Sequence, residues 1–387
     1  MHVRLFKPSV GREELEAIAE VFDRAWLGLG PKVREFEEAW ARYVDSPAAL
    51  GLNSATAALH MAVTALRLPP GSKVLVPSMT FVASALCALY NGLDVVFVDC
   101  DRDTLQMDLD DLERRITPET RAVVAVHFGG YPVDMPRLLE IARRHDLKVI
   151  EDCAHCAGGS IGGRKLGTWG DLGCFSFEEK KCMTTGDGGM LVANDPDLVE
   201  RVRANRWLGI DKDTWKRQAG YTAEGPDDAR HWHYEVAEVG YKYNMNDLAA
   251  AIGLVQLKKL DAMNARRTAI IARYLDGLRD SGLVRPLMPY RTDGEHAYWI
   301  FGVRVPAAVR DDVIRMLKRS DVATSVHYLP LTLHPLFKAH AGATPVAESV
   351  WEEMITLPLF PDMTDEQVDY VVDALRRAEA AVAPQVS

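Results

Sequence analysis

Two neighbouring lysines, Lys180 and Lys181, follow an apolar stretch near the middle of the chain and precede the glycine-rich turn 184–189. A lysine beside an apolar strand end can lose its proton and act as a nucleophile or form an imine with a carbonyl compound. Glycines at this point indicate that the backbone approaches another group closely. A solvated loop is the alternative, because Glu-Glu-Lys-Lys is also an ordinary surface sequence. The apolar flanks favour the reactive lysine.

A carboxylate and a hydroxyl-rich helix start could complete a cofactor site. Asp152 ends an apolar run, and a carboxylate at a buried strand end is costly unless it is paired, for example with a protonated pyridine nitrogen. His155 is placed to support it by a hydrogen bond. Ser54 and Thr56 stand at the start of an apolar helix, where free N–H groups and the helix dipole favour a phosphate. A plain N-cap explains these two hydroxyls equally well.

Together these residues suit pyridoxal 5'-phosphate. This cofactor requires a phosphate-binding turn, a carboxylate that keeps its ring nitrogen protonated, and a lysine that holds it and moves protons. Phe81 suits the role of an aromatic residue stacked on the ring. The string Gly-Tyr-Lys-Tyr-Asn at 240–244 precedes a long helix, and an N-cap at Asn246 or Asp247 explains only part of it.

The surrounding sequence predicts an α/β fold. Short apolar runs alternate with helical patterns, which is typical of a mostly parallel sheet sandwiched by helices. Ligands bind such sheets beyond the carboxyl ends of the strands, where the candidate residues lie. The predicted strands are 73–77, 95–99, 122–127, 148–152, 173–177 and 189–193. The predicted helices are 11–22, 31–43, 56–66, 82–91, 109–115, 135–145, 196–206 and 246–278.

The regular alternation of strands and helices ends at about residue 280. A strand at 297–305 is followed by helices at 308–319 and 365–381, with a proline-rich stretch between them. A length of 387 residues also favours two domains. We therefore expect a large cofactor-binding domain, residues 1–280, and a smaller α+β domain, residues 281–387.

The composition excludes several functional classes. Lys and Arg total 45 against 55 Asp and Glu, and this net charge of −10 gives no general attraction for nucleic acid or anionic lipid. No apolar run approaches the roughly 18 residues of a membrane helix, and the N-terminus resembles no signal peptide. Six cysteines in a chain of this length are not a disulfide scaffold. We expect a cytoplasmic protein.

The pair Cys153 and Cys156 has the spacing of some zinc and redox sites. A structural zinc site needs a second close pair, but Cys174 and Cys182 are eight residues apart. A thioredoxin-like motif starts a helix after the first strand of a small domain, which does not fit here. We therefore expect buried structural cysteines and no metal.

The sequence resembles the DegT/DnrJ/StrS family of nucleotide-sugar aminotransferases. The similarity covers nearly the whole chain, and its most specific parts are the string 240–244 and the spacing from Asp152 to Lys181. It implies a fold type I enzyme that depends on pyridoxal 5'-phosphate, alternates with a pyridoxamine 5'-phosphate form, and is usually a homodimer. It also implies transfer of an amino group from an amino acid, expected to be L-glutamate, to a keto sugar on a nucleotide.

The resemblance assigns roles residue by residue. The cofactor-binding lysine falls on Lys181, with Lys180 as a neighbour, and the partner of the ring nitrogen falls on Asp152. The other implied cofactor contacts are Ala55, Thr56, Phe81, His155, Ser176 and Asn244, the last supplied by the partner subunit of a homodimer. The family closes over its substrate around His327, Tyr328 and residues 334–337.

This chain departs from the family pattern beside the lysine. Glu178, Glu179 and Lys180 replace residues that are usually small, polar or aromatic, Cys182 stands where Asn is common, and Asp187 replaces a frequent Glu. The departures put the local surface and the substrate preference in question. The segment 206–239 is a possible lid or dimer element, although ordinary packing is the favoured role of its aromatic residues, Trp207, Trp215, Trp232 and Tyr234.

Three other functions are alternatives to transamination of a nucleotide sugar. Relatives that dehydrate a sugar carry histidine in place of the lysine, so Lys181 favours transamination. An enzyme that aminates a keto-cyclitol in aminoglycoside synthesis is not separated by sequence from one that acts on a nucleotide sugar. A ligand-binding regulator that has kept the fold would not need the pair of Asp152 and Lys181, which argues against it.

Overall fold

The computed structural model describes residues 1–210, 233–289, 296–340 and 342–385. The helices are α1 (Arg12–Asp23), α2 (Pro31–Val44), α3 (Ala55–Leu66), α4 (Ala83–Tyr90), α5 (Leu109–Arg114), α6 (Met135–Arg144), α7 (Pro196–Arg203), α8 (Asp247–Gly277), α9 (Ala307–Arg319), α10 (Pro345–Glu353) and α11 (Asp365–Val382). The strands are β1 (Ala48–Leu52), β2 (Lys73–Pro77), β3 (Asp94–Val98), β4 (Thr120–Val126), β5 (Lys148–Cys153), β6 (Ser160–Ile161), β7 (Arg164–Lys165), β8 (Leu172–Ser176), β9 (Gly189–Ala193), β10 (Arg285–Pro286), β11 (Phe301–Arg304) and β12 (Met354–Leu357).

Seven strands form one sheet in the order β1-β9-β8-β5-β4-β2-β3. The pairings from β8 through β5, β4 and β2 to β3 are parallel, while β9 runs antiparallel to both β8 and β1. The register places Asp152 between Val126 of β4 and Cys174 of β8. The predicted α/β fold with a mostly parallel sheet is confirmed.

Helices cover both faces of the sheet, so the strands are buried almost throughout. On one face, the ring of Trp40 from α2 contacts Phe175 and Phe177 at centroid distances of 4.9 Å. On the other face, Leu138 and Ile141 of α6 join a separate apolar cluster with the sheet. Burial on both faces explains why these strands read as continuous apolar runs rather than alternating ones.

Side-chain caps fix where α3 and α8 begin. The hydroxyl of Ser54 accepts a hydrogen bond from the N–H of Ala57 at 3.1 Å, which starts α3. The side chain of Asn246 accepts one from Ala249 at 2.9 Å, which starts α8. Asn246 is therefore the N-cap, rather than Asp247, and the predicted helix 246–278 is confirmed to within a residue.

The C-terminal part contains an antiparallel sheet of β10, β11 and β12, with α9 beside β12 and α11 against α9 and α8. The predicted strand 297–305 is only partly correct, because residues 297–300 are not in a strand. The N–H of Trp299 instead donates to the carbonyl of Gly129 at 2.9 Å. The boundary expected near residue 280 stays a prediction.

Candidate active site

A cavity of about 760 Å³ lies beyond the carboxyl ends of β5 and β8. Its wall includes the start of α3, the segment after β2, the loop after β8 and parts of the C-terminal region. Of the predicted site residues, Asn244 and the segment 334–337 do not line it, and the others do: Ala55, Thr56, Phe81, Asp152, His155, Ser176, Lys181, His327 and Tyr328. The structure thus brings together residues that are far apart in the sequence.

Asp152 is buried at the end of β5. Its two carboxylate oxygens accept hydrogen bonds from the hydroxyl of Ser84 at 2.7 Å and the N–H of Ala154 at 3.1 Å. Burial raises the pKa of Asp152, and these two donors oppose that effect. No lysine or arginine of the described residues forms an ion pair with it. A cation entering the cavity would therefore favour the ionised carboxylate.

Lys181 points its amine into the same cavity. Its Nζ lies 3.7 Å from the centroid of the Trp299 ring, and the described residues place no carboxylate within ion-pair distance of it. Burial lowers the pKa of Lys181 from 10.5 to about 8, against the attraction of Glu178 and Asp152. A substantial share of this amine is therefore neutral near pH 8, the state required of a nucleophile.

Lys180 has a different environment from Lys181. Half of its side chain is exposed, and its Nζ lies 3.9 Å from the carboxylates of both Glu178 and Glu179. Its main-chain carbonyl accepts a hydrogen bond from Nε1 of Trp299 at 2.7 Å. Of the two lysines, Lys181 thus has the surroundings that favour a reactive amine.

His155 does not make the hydrogen bond to Asp152 that the sequence suggested. It is buried, its Nδ1 accepts from the N–H of Gly129 at 3.3 Å, and its ring stacks on Trp299 at a centroid distance of 4.0 Å. Burial, with the nearby amine of Lys181, holds the pKa of His155 well below 6.5. The ring is therefore neutral, and the support for Asp152 comes from Ser84 instead.

The turn at the start of α3 packs directly on the sheet. A Cβ on Gly189 would stand 2.6 Å from the nitrogen of Ala55 and closer still to the carbonyl of Ser54, so only glycine fits there. The first N–H groups of α3, including those of Ala55 and Thr56, have no partner within the helix. Ser176 ends the neighbouring strand β8 and lines the cavity beside them. This corner can hold a phosphate.

Aromatic side chains form the opposite side of the cavity. The exposed ring of Phe81 lies 5.7 Å from Tyr328, and the ring of Phe6 lies parallel to Trp299 at 5.4 Å. His327 shares a hydrogen bond of 3.0 Å with the hydroxyl of Thr356. Burial and Lys181 lower the pKa of His327 from 6.5 to about 4, so this ring is also neutral.

Comparison with known proteins identifies the fold and its chemistry. The sequence profile of the DegT/DnrJ/EryC1/StrS aminotransferase family matches residues 8–376. The chain belongs to this family. The aminotransferase is 38% identical over 379 residues to the spore coat polysaccharide biosynthesis protein SpsC of Bacillus subtilis, with 95% of each chain covered.

Solved structures agree with this assignment. The aminotransferase TlmJ of Streptoalloteichus hindustanus superposes with a TM-score of 0.91 at 35% identity, covering 98% of this chain and 100% of TlmJ. Spr1654 of Streptococcus pneumoniae, assigned as a sugar aminotransferase, superposes in its PMP form with a TM-score of 0.91 at 29% identity and 98% and 100% coverage. Spr1654 is also known in apo and PLP forms. The predictions of a pyridoxal phosphate-dependent sugar aminotransferase and of its fold are confirmed.

The residues of the aminotransferase fit pyridoxal phosphate on independent grounds. The buried carboxylate of Asp152, which lacks a cationic partner in the described chain, suits a protonated ring nitrogen. Gly189 lets the turn at Ala55 approach the sheet, which leaves the α3 N–H groups facing the cavity. The amine of Lys181 faces the same space. The three groups match the nitrogen, the phosphate and the aldehyde of the cofactor.

In its own protomer, Asn244 of the aminotransferase does not line the cavity. Its side chain accepts a hydrogen bond from Nζ of Lys242 at 3.0 Å and donates to the carbonyl of Met245 at 3.0 Å. Its backbone forms an isolated bridge with Leu52 at the end of β1. Its predicted place in the site of a partner subunit stays a prediction.

Sequence reasoning missed three residues at the site: Ser84, Trp299 and Arg267. Ser84 lies in the apolar helix α4 and meets Asp152 only through the fold. The buried guanidinium of Arg267, on α8, donates to the carbonyls of Lys181 at 3.4 Å and Cys182 at 3.0 Å. Their helical and apolar sequence contexts carried no signal of a site.

The cysteine pair of the aminotransferase is buried as expected. The thiols of Cys153 and Cys156 lie within 4.8 Å of a His127 nitrogen, but both nitrogens of that ring already have partners. Nε2 pairs with Glu151 at 3.0 Å and Nδ1 accepts from the N–H of Val133 at 3.2 Å. Burial raises the pKa of both thiols. This group is accounted for by packing.

The segment expected to act as a lid or dimer element is only partly described. Trp215 and Trp232 lie outside the described residues. Trp207 packs under Nζ of Lys242 at 3.0 Å from its ring centroid, and Tyr234 is exposed. The role of this segment therefore stays a prediction. Among the described residues, no helix of the aminotransferase is both long and apolar enough to span a membrane.

Proposed function

We propose that this sugar aminotransferase moves an amino group from L-glutamate to a keto sugar carried on a nucleotide, with Lys181 and Asp152 as its catalytic residues. The observation that carries the assignment is one cavity that holds both a buried amine of lowered pKa and a buried carboxylate. We also propose a cytoplasmic location, in keeping with six free cysteines.

Pyridoxal phosphate, when bound, supplies an aldehyde that accepts amines and a ring that stabilises the charge left by removal of a proton. Asp152 would keep the ring nitrogen protonated, and Ser84 would keep that carboxylate in place. Once the amino acid has displaced Lys181 from the cofactor, Nζ of Lys181 would take the proton from the Cα of that amino acid. The amine would pass that proton to the cofactor, and in the second half of the reaction it would deliver a proton to the sugar carbon that receives the nitrogen.

The nucleotide-sugar acceptor is supported by the mouth of the cavity. Arg4 and Lys180 both line it and are exposed, so cations are available to a diphosphate. Glu178 and Asp187 line it as well and balance these two charges, so the cations can act only as local contacts for a diphosphate. A cavity of about 760 Å³ is also within the usual range for small-molecule sites. The name of SpsC, a polysaccharide biosynthesis protein, agrees with a sugar acceptor.

The first half-reaction can be tested by absorption spectroscopy of the purified enzyme with and without L-glutamate. We expect a band of lysine-bound cofactor that glutamate converts to the band of pyridoxamine phosphate. Lys181→Ala should lack the first band, and the matched variant Lys180→Ala should keep it. A band that survives in Lys181→Ala but not in Lys180→Ala would move the assignment to Lys180. No band even with added cofactor would favour a ligand-binding regulator.

The acceptor can be tested with the enzyme already converted by glutamate. Keto sugars on different nucleotides and a keto-cyclitol are added separately, and return of the lysine-bound band reports amino transfer. We expect a nucleotide-linked keto sugar to restore the band. Restoration by the cyclitol alone would contradict the proposed acceptor and leave the glutamate half-reaction standing.

A further inference from the structure

Trp299 contacts both the lysine loop and the aromatic residues beside it. Its ring is 3% exposed and lies 3.7 Å from Nζ of Lys181. The indole N–H donates to the carbonyl of Lys180 at 2.7 Å, which is the peptide that carries Lys181. His155 and Phe6 both lie nearly parallel to the ring, at 4.0 and 5.4 Å between centroids. The ring is thus held rigidly against both ends of the lysine.

We propose that Trp299 is a positioning residue that holds the amine of Lys181 over its ring whenever the amine is not bound to the cofactor. The inference rests on the proposed role of Lys181. A lysine that detaches and reattaches in each turnover has four flexible side-chain bonds. Its free amine would therefore sample many positions. A fixed ring face and a fixed preceding peptide confine it to one place. Accurate placement of a catalytic group is worth large factors in rate.

The ring also offsets part of the cost of burying the amine. Burial favours the neutral amine, whereas the negative face of an indole attracts the ammonium form. Other charged or titratable groups act on Lys181 from its own loop and from the elements packed around it. They are Glu178, Lys180 and Cys182 from the loop, Asp152 and His155 from β5 and its continuation, His327 from the C-terminal region, and Arg267, through the Lys181 carbonyl, from α8.

The test is the pH dependence of Lys181 labelling in the cofactor-free, full-length enzyme; the relative Spr1654 is known in such an apo form. Brief treatment with acetic anhydride and quantification by mass spectrometry give the fraction acetylated at each pH. We expect a midpoint at about 8 for the native enzyme. Trp299→Leu removes the ring face and should lower the midpoint by about one pH unit.

Two further variants test whether a shift of the midpoint comes from loss of the ring face or from a general change in the structure. Trp299→Phe keeps an aromatic face but lacks the N–H, so its midpoint should stay near that of the native enzyme. Trp351→Leu, which alters a half-buried tryptophan packed on Arg310, should leave it unchanged. Circular dichroism and thermal unfolding confirm that each variant is folded.

An unchanged midpoint in folded Trp299→Leu would overturn the inference, and so would an equal drop in Trp351→Leu. Neither result depends on catalysis, because the labelling reads the amine directly. The spectral test with Lys181→Ala decides separately whether this lysine holds the cofactor. Failure of the positioning role and failure of the proposed function are therefore distinguishable.

Discussion

At the residue scale, the bond from Ser84 to Asp152 is the first to test. The hydroxyl of Ser84 is buried and donates to Asp152 at 2.7 Å, and this hydrogen bond is charge-assisted when the carboxylate is ionised. We expect Ser84→Ala to weaken pyridoxal phosphate binding about tenfold, because the ionised carboxylate loses one of its two donors. Cofactor titration of dialysed enzyme measures this. Ser72→Ala, whose hydroxyl binds Pro69 elsewhere, is the control, and equal affinities in all three proteins would contradict the prediction.

His327 should make the protein sensitive to acid. Its pKa is about 4 in the folded chain against 6.5 ordinarily, so the unfolded chain takes up the proton first as the pH falls. Stability is therefore lost between about pH 6.5 and pH 4, and the difference amounts to about 3 kcal/mol. Between pH 7 and pH 4, we therefore expect the native protein to lose about 3 kcal/mol more unfolding free energy than His327→Gln.

Urea unfolding at a fixed protein concentration provides the measurement. His340→Gln serves as the control histidine outside the cavity. Parallel pH profiles for the native protein and His327→Gln would show that another group dominates the acid sensitivity.

The sequence was most informative where spacing alone carries the chemistry. Asp152 and the lysine pair stood out because they end or follow apolar strands, and parallel strands end at the same edge of a sheet. Ser176 and the choice of Lys181 over Lys180 came from the family resemblance. Ser84 and Trp299 were not found, because each meets its partner across a long stretch of chain. The partner of Asp152 was also misassigned to His155, since sequence proximity does not determine the direction of a ring.

At the scale of elements, the contact between β9 and the start of α3 determines the shape of the phosphate corner. We expect Gly189→Ala to lower the free energy of unfolding by about 2–3 kcal/mol, because the new methyl group meets the backbone of Ser54 and Ala55. Cofactor affinity should fall as well. Gly28→Ala, where nothing lies within 4 Å, is the matched control for urea unfolding. An equally small effect of both variants would show that the turn can move aside.

The long helix α8 supports the lysine loop through Arg267. Replacing it by methionine leaves the carbonyls of Lys181 and Cys182 without their buried donor. We expect Arg267→Met to cost about 2 kcal/mol of unfolding free energy. Arg266→Met, one residue earlier, removes a partly exposed pair with Asp365 and a donor to the Met363 carbonyl, and should cost about 1 kcal/mol. Denaturant unfolding compares them, and a reversed order would refute the support role of Arg267.

α8 was predicted almost to the residue, because its sequence is long and rich in alanine and leucine, which favour a helix. β1 was missed, because Ala-Ala-Leu-Gly-Leu has little strand preference and forms a strand by pairing with β9. α10 and β12 were also missed in the proline-rich stretch. β11 was predicted too long, because the amides of Trp299 and Ile300 bond to Gly129 rather than to a strand. In each case a tertiary contact overrode the local pattern.

At the scale of the whole molecule, we expect a homodimer in which Asn244 of one protomer completes the site of its partner. Mixing inactive Lys181→Ala with inactive Asn244→Asp should then restore about a quarter of native activity. Half of the re-formed dimers are mixed, and each mixed dimer has one intact site. Amino transfer is measured after subunit exchange, with each variant alone as the control. A mixture that stays inactive although exchange has occurred would place Asn244 within its own protomer.

The aromatic stack of Phe6 on Trp299 has a consequence for folding during synthesis of the chain. The chain is synthesised in the order Phe6, Lys181, Trp299 and Tyr328. At about 5–20 residues per second, roughly seven to thirty seconds separate synthesis of Lys181 from that of Tyr328. During this interval the nascent chain carries its lysine without the wall that encloses it. The cavity is therefore enclosed on the side of Trp299 and Tyr328 only after residue 328 has been synthesised.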